Sequence, residues 1–368
     1  MKLKLGEAFI TWPAEDKNAC YVLSLASNTR HILAQLSDCT VVIIDSNSLQ
    51  QLASRNCADI SLVSAHLLDD DSVILVGKNG LVLRWDQRWT RTTEIISQTA
   101  EGIACSAISH DHTRLAVGTE KSESAERKGD TRSNSDSDSD DDDDDDDAVS
   151  STIVVVDLQA KAQLGVYTES HSDAVNCLAF HPDDHDRLLS GGADGLVNWF
   201  RLSPRTDEDE ALVQTFDCGS SLSRVGWTRD AGFGTGSFAV TDDNRLTLFD
   251  VADDDDATVV FKTVNFKEGR SLVDCFTDGE AVYSIASDDS GKAYMSRRER
   301  SNGYATALTT DDQCHAQLIR CLAFDGRSQT LLTGGEDGKI IGRQVAFERD
   351  LTVAKKTRRS KKKGSKPY

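Results

Sequence analysis

Short apolar runs alternate with turns rich in Asp, Asn, Gly and Ser along most of the chain. The clearest unit is 171–200, HSDAVNCLAFHPDDHDRLLSGGADGLVNWF. It predicts a strand over 174–180, an Asp-rich turn, a second strand over 187–190, a Gly191-Gly192-Ala193-Asp194-Gly195 turn and a third strand over 196–200. Such a sheet cannot cover both of its faces alone. Recurrence at a period of about 40–45 residues is the mark of repeated sheets that cover one another in a ring.

The turn and third strand recur. A polar turn residue is followed six positions later by a large residue, often with Asp after it: Asp38 to Ile44-Asp45, Asn79 to Trp85-Asp86, Asp194 to Phe200-Arg201, Asp243 to Phe249-Asp250 and Asp337 to Arg343-Gln344. A degenerate copy runs from Ser290 to Ser296-Arg297, and Ile153 to Asp157 is a third strand whose tight turn has been lost to an insertion. These give seven sheets. Val41-Val42-Ile43-Ile44 and Ile153-Val154-Val155-Val156 are short β-branched runs, as strands buried on both faces require. Four prolines leave the ladders uninterrupted, and helix should be scarce. The expected architecture is all-β, a seven-bladed β-propeller over 1–354. Residues 7–12 would close the ring as the outer strand of blade seven, with 345–353 as a rival.

Two segments stand apart. Residues 122–150 interrupt the turn between the second and third strands of blade three and hold SNSDSDSDDDDDDDDA; lacking apolar residues to bury, they should be disordered. Ser135, Ser137 and Ser139 precede Asp runs and suit an acid-directed kinase; the plainer reading is a neutral solvated insertion. The tail 355–368, KKTRRSKKKGSKPY, reads as a disordered nuclear or nucleolar import signal through Lys355, Lys356, Arg358, Arg359, Lys361, Lys362 and Lys363, with the cytoplasm as the alternative location.

Net charge is −20, and with the ten aspartates of 136–147 and the eight cations of 355–366 set aside the body still carries −18. That field repels phosphate backbones and attracts basic proteins, so no direct nucleic-acid binding is expected of the propeller. Nine scattered cysteines with no C-x-x-C pair indicate reduced thiols rather than a disulfide or zinc framework. No apolar run is long enough for a membrane span, and no secretory leader is evident.

These residues resemble the WD-repeat superfamily. His171, Ser190, Asp194 and Phe200 occupy the places of its structural His–Ser–Asp–Trp network. Within it the chain is similar to the family of WD-repeat-containing protein 89, through Val117 to Lys121, ESHSDAV at 169–175, FHP at 180–182, GLVN at 195–198 and LLTGGEDG at 331–338, with a basic C-terminus following. The resemblance implies a scaffold. Arg201, Arg297 and Gln344 depart from its usual closing Asp.

Catalytic and metal chemistry finds little footing. His181-x-x-x-His185 and His110-Asp111-His112 fall on turns and read as polar loops, so no metal or other cofactor is expected. His171, Ser190 and Asp194 lack a nucleophile elbow, so the chain does not read as an enzyme. A stronger lead is acidic. Asp183, Asp184 and Asp186 lie on a first-to-second turn; Asp207, Glu208, Asp209, Glu210 and Asp253, Asp254, Asp255, Asp256 lie on third-to-fourth turns. All should share one side of the disc as a patch for a basic partner.

The first functional expectation is a nuclear scaffold, a monomeric propeller within a complex, that binds or chaperones a basic client such as a histone or ribosomal-protein segment. The alternative is a substrate-receptor subunit of a ubiquitin ligase or other machine, for which Trp85, Asp86 and Arg88 supply a Trp-Asp-x-Arg motif.

Overall fold

The computed structural model describes residues 2–12, 20–86, 88–96, 100, 102–121, 151–202, 207–228, 236–249, 264–265, 269–277, 281–298, 305–308 and 315–348. Seven antiparallel four-stranded sheets follow one another around a ring. Blade one is Val22–Ser27, His31–Leu36, Thr40–Asp45 and Gln51–Asn56. Blade two is Leu62–Leu67, Val73–Gly77, Val82–Trp85 and Thr92–Ile96. Blade three is Ile103–Ile108, Arg114–Thr119, Ile153–Asp157 and Ala162–Tyr167. Blade four is Val175–His181, Asp184–Gly192, Leu196–Arg201 and Leu212–Asp217. Blade five is Leu222–Thr228, Gly236–Thr241, Arg245–Phe249 and Val264–Asn265. Blade six is Ser271–Thr277, Val282–Ser287, Ala293–Arg298 and Ala305–Leu308. Blade seven is Ile319–Asp325, Thr330–Gly335 and Ile340–Glu348, completed by the N-terminal Lys2–Trp12.

That last pairing closes the ring, with Lys2 opposite Glu348 and Trp12 opposite Ile340. Residues 345–348 continue the third strand of blade seven and so do not supply its outer strand. Closure covers an edge that a stack of sheets would leave open.

Middle strands are buried on both faces by the neighbouring blades. Every residue of Val73–Gly77 is buried, as is Ile153–Asp157 up to its last residue. The outer Gln51–Asn56 is exposed or half-buried throughout. In six blades the turn from second to third strand holds a residue with left-handed backbone: Cys39, Gly80, Gly195, Asn244, Gly291 and Gly338. In blade three the ladder is instead closed by Thr119 N–H donating to the Thr152 carbonyl (3.0 Å), with Thr152 N–H donating to Thr119 Oγ1 (2.8 Å), on either side of residues 122–150. Helix is confined, among the described residues, to Glu208–Ala211 and a 3-10 turn at Ala58–Ile60.

Blade seams follow a shared chemistry. Gly118 of blade three faces Val175 of blade four and Cys105; a Cβ there would lie 2.6 Å from the valine Cγ1. Gly334, facing Val22 and Cys321, repeats the arrangement at the closing seam. The Cys105 and Cys321 thiols donate to the Val175 and Val22 carbonyls of the next blade at 3.2 and 3.5 Å. Burial pushes both thiols up to about 12, so they act as small apolar residues and not as nucleophiles.

Every first strand carries a bulge near its start, at the second residue in six blades and at the third in blade six. The ladder shifts between Val22 and Ser24, Leu62 and Ser64, Ile103 and Cys105, Val175 and Cys177, Leu222 and Arg224, Leu272 and Asp274, and Ile319 and Cys321. Antiparallel connectivity puts blade connectors and second-to-third turns on one side of the disc, the upper face. First-to-second and third-to-fourth turns lie on the lower face.

Candidate functional site

Two buried networks organise the upper face. His171, on the connector into blade four, has Nδ1 3.1 Å from both oxygens of Asp194 and Nε2 2.7 Å from Ser190 Oγ. Asp194 also accepts from the backbone N–H groups of Ser172 and Leu196. Burial opposes its ionisation, but these hydrogen bonds, led by that of His171, hold its carboxyl below the ordinary value. Phe200 stands outside the hydrogen bonds because its ring offers neither donor nor acceptor; it stacks on Tyr167 at 5.2 Å between centroids. Asn198 takes the polar place instead. Its Nδ2 donates to the Ser170 carbonyl at 2.5 Å and lies 3.2 Å from His171 Nε2, and its Oδ1 accepts from Thr215 Oγ1 at 2.6 Å.

His315 builds the second network, with Asp337 at 2.9 Å from Nδ1 and Thr333 Oγ1 at 2.9 Å from Nε2. Reading the sequence for histidine at blade starts missed it. The signal was present, since both serine or threonine partners precede their Asp by four positions. Ser190 is 0% exposed and His171 2%, so this Asp–His–Ser arrangement is closed to any substrate and ties strands together.

On the lower face the acidic residues divide. Asp184 and Asp186 belong to the strand Asp184–Gly192 and not to the preceding turn. Asp186 pairs with Arg114 of blade three, Asp184 lies 3.1 Å from Arg187 Nε, and His185 Nδ1 sits 2.8 Å from Asp111 of blade three. Glu208 is likewise committed. Its carboxylate accepts from the Thr168 N–H at 2.6 Å, the Glu169 N–H at 3.1 Å and the Ser170 hydroxyl, all on the connector into blade four. It therefore reaches the rim between blades and is not an open member of a lower-face patch. Asp207 caps the short helix by accepting from Asp209 N–H at 3.0 Å. Asp183, Asp207, Asp209 and Glu210 are exposed on two loops of blade four.

The histidine pairs do not converge. His181 packs edge-on against Trp227 of blade five at 4.8 Å, while His185 runs parallel to His110 at 6.4 Å. Among the described residues no group of three or more His, Cys, Asp or Glu side chains is arranged to hold a metal.

Trp85 is 4% exposed and forms part of the blade one–two core. Asp86 clamps the following turn by accepting from the N–H groups of Thr90 (2.9 Å) and Arg91 (3.3 Å), which leaves Arg88 exposed at its tip. Asp253 to Asp256, Ser135, Ser137, Ser139 and the basic tail from Lys355 lie outside the described residues.

A closed ring of seven four-stranded sheets, with a histidine joined to Asp and to Ser or Thr at two blade edges, is a seven-bladed β-propeller of the WD-repeat type. The family model "WD domain, G-beta repeat" matches residues 162–201 and 307–341, which span the two histidine networks. The chain is similar to the WD repeat-containing protein 89 homolog of Dictyostelium discoideum, 24% identical over 52% of this chain and 55% of that protein. An uncharacterized WD repeat-containing protein of Schizosaccharomyces pombe is 18% identical over 88% of this chain and 95% of its own length. Another from Saccharomyces cerevisiae is 30% identical over 29% of this chain and 26% of that protein. The matched region thus spans about half of the Dictyostelium relative. Proteins built on such propellers generally serve as scaffolds that bind other proteins.

Proposed function

We propose that this propeller is a nuclear scaffold that holds or chaperones a basic protein segment, of the kind found in histone or ribosomal-protein tails. The observation that carries the reading is the exposed set Asp183, Asp207, Asp209 and Glu210 on two loops of blade four in a chain with net charge −20. Opposite charge on a partner raises encounter rate and fixes orientation. Asp253 to Asp256 on the next blade would extend the patch, and phosphates on Ser135, Ser137 or Ser139 would deepen the field. The test is recovery of basic clients by the immobilised full chain across a salt series. Recovery should collapse above about 0.5 M salt, where the Debye length is a few ångströms. Salt-independent recovery refutes the reading. Nuclear location rests on the tail, so replacing Lys361, Lys362 and Lys363 with Ser should shift a fluorescent fusion to the cytoplasm.

A second reading, a substrate receptor for a ubiquitin ligase, is favoured by one observation. Arg88 is exposed beside a turn that Asp86 clamps by accepting from the Thr90 and Arg91 N–H groups. Arg88→Glu should then abolish co-purification of a ligase adaptor while the acidic-face clients are kept.

A further inference from the structure

At four seams the lower edge is plugged by bulky side chains of the protein itself. Trp89 meets His31 between blades one and two, and Arg114 and His185 bridge blades three and four. Trp227 meets His181 between blades four and five, and Phe276 meets Phe324 between blades six and seven. The seam that closes the ring is different. Among the described residues small side chains face it: Ser27, Thr29, Ser46 and Asn47 of blade one, and Ser328 and Thr330 of blade seven. A cavity of about 450 Å³ remains between them, floored by the buried Ile32 and Leu332.

A short turn accounts for the opening. Blade one closes its first-to-second turn over 28–31, with Asn28 N–H donating to the His31 carbonyl at 3.0 Å. The same turn takes 68–72 in blade two and 109–114 in blade three, where Leu68 N–H donates to the Ser72 carbonyl and Ser109 N–H to the Arg114 carbonyl, each at 2.9 Å. From the longer turn of blade two, Asp71 reaches back to His31 of the preceding blade at 2.8 Å. The turn of blade one has no residue in that place to reach blade seven.

The walls offer hydrogen bonds without net charge. Among the described residues Ser27 Oγ, Thr29 Oγ1 and the Asn47 side-chain amide have no hydrogen-bond partner, and Gln344 uses only its Nε2, which donates to Thr330 Oγ1 at 3.2 Å. The Asp325 carboxylate accepts from Arg327 N–H at 2.9 Å and from Ser328 Oγ at 2.6 Å. Arg327 brings the opposite charge to the same loop. Hydroxyls and amides supply both donors and acceptors. Such walls over an aliphatic floor suit a neutral ring with an apolar face and hydroxyls at its edge. An anion would meet the field of a chain with net charge −20, and a cation would meet Arg327.

We propose that this cavity binds a sugar of one or two rings, its C–H face on Ile32 and Leu332 and its hydroxyls on Ser27, Thr29, Asn47 and Gln344. Cavities of about 300–1,000 Å³ with an apolar floor and a few convergent polar groups are where proteins hold small ligands. The site lies on the lower face, across the ring from the acidic loops of blade four, and does not depend on a basic client.

The test is saturation-transfer NMR of the full chain with glucose, mannose, N-acetylglucosamine and maltose, each at millimolar concentration. At least one of them should receive saturation at its ring C–H protons. Asn47→Trp and Thr29→Trp each place an indole in the cavity from an exposed turn position and should abolish the transfer. Asn47→Ala should weaken binding about tenfold, as loss of a ligand hydrogen bond does. Hydrogen exchange of the wild-type chain reads the site without any substitution, and the bound sugar should protect 27–32 and 325–332. Absence of transfer to all four sugars overturns the proposal. Transfer that survives in both Trp variants, or protection confined to other segments, also overturns it.

Discussion

His31 of blade one places Nδ1 2.8 Å from Oδ1 of Asp71 on the first-to-second turn of blade two. Asp71 is 6% exposed and also accepts from Asn28 Nδ2 at 3.0 Å and Arg30 at 2.6 Å. The Trp89 ring meets His31 edge-on at 4.8 Å and its indole N–H donates to the Asp71 carbonyl at 2.9 Å. The seam is therefore locked by one carboxylate shared among three side chains of the preceding blade. Asp71→Ala should cost about 2–3 kcal/mol, as the loss of buried charge-assisted hydrogen bonds does. A denaturant midpoint unchanged from wild type would show that the lock adds nothing.

Gly334 should tolerate no side chain while its neighbours are in place. An added Cβ would lie 2.6 Å from Val22 Cγ1 and 2.8 Å from Cys321 Sγ at the seam that closes the ring. Gly334→Ala is expected to destabilise by about 1–3 kcal/mol through overpacking. Removing the thiol by Cys321→Ala should recover part of that loss, so the double variant should be less than additive in a mutant cycle.

Acid should weaken the ring in two stages. His66 is held down to about 4 from its ordinary 6.5, by burial first and then by the neighbouring His112. The unfolded chain protonates this histidine more readily than the folded one, so stability falls as pH drops from about 6.5 toward about 4. His66→Gln should flatten that part of the curve by about 1–3 kcal/mol. In the second stage Asp194 and Asp337, whose carboxyls the His171 and His315 networks hold below the ordinary 3.8 against the opposing effect of burial, lose their contribution as pH falls below about 4. Unfolding midpoints measured from pH 7 to pH 3 separate the stages.

Neutralising Asp183, Asp207, Asp209 and Glu210 together should lower the association rate with a Lys-rich peptide several-fold at low salt. At about 0.5 M salt the variant and the wild type should agree. Stopped-flow fluorescence reads both, and a deficit that persists at high salt would point to lost contacts and away from field attraction.

The seven blades were legible in the chain because their markers are local. The turn residues Asp38, Asn79, Asp194, Asp243, Ser290 and Asp337 and the runs at 41–44 and 153–156 report short-range backbone geometry and two-sided burial. The partners of polar side chains were not legible. His31 reaches Asp71, Arg114 reaches Asp186 and Glu208 reaches Thr168 across separations of 40, 72 and 40 residues, which no spacing rule on one strand encodes. The sequence by itself determined how many sheets form and where each turns, since backbone propensity and alternating burial act over a few residues. Only the tertiary structure decided which carboxylates lock seams and which remain on the surface, because that depends on which group of the neighbouring blade is brought within hydrogen-bonding distance.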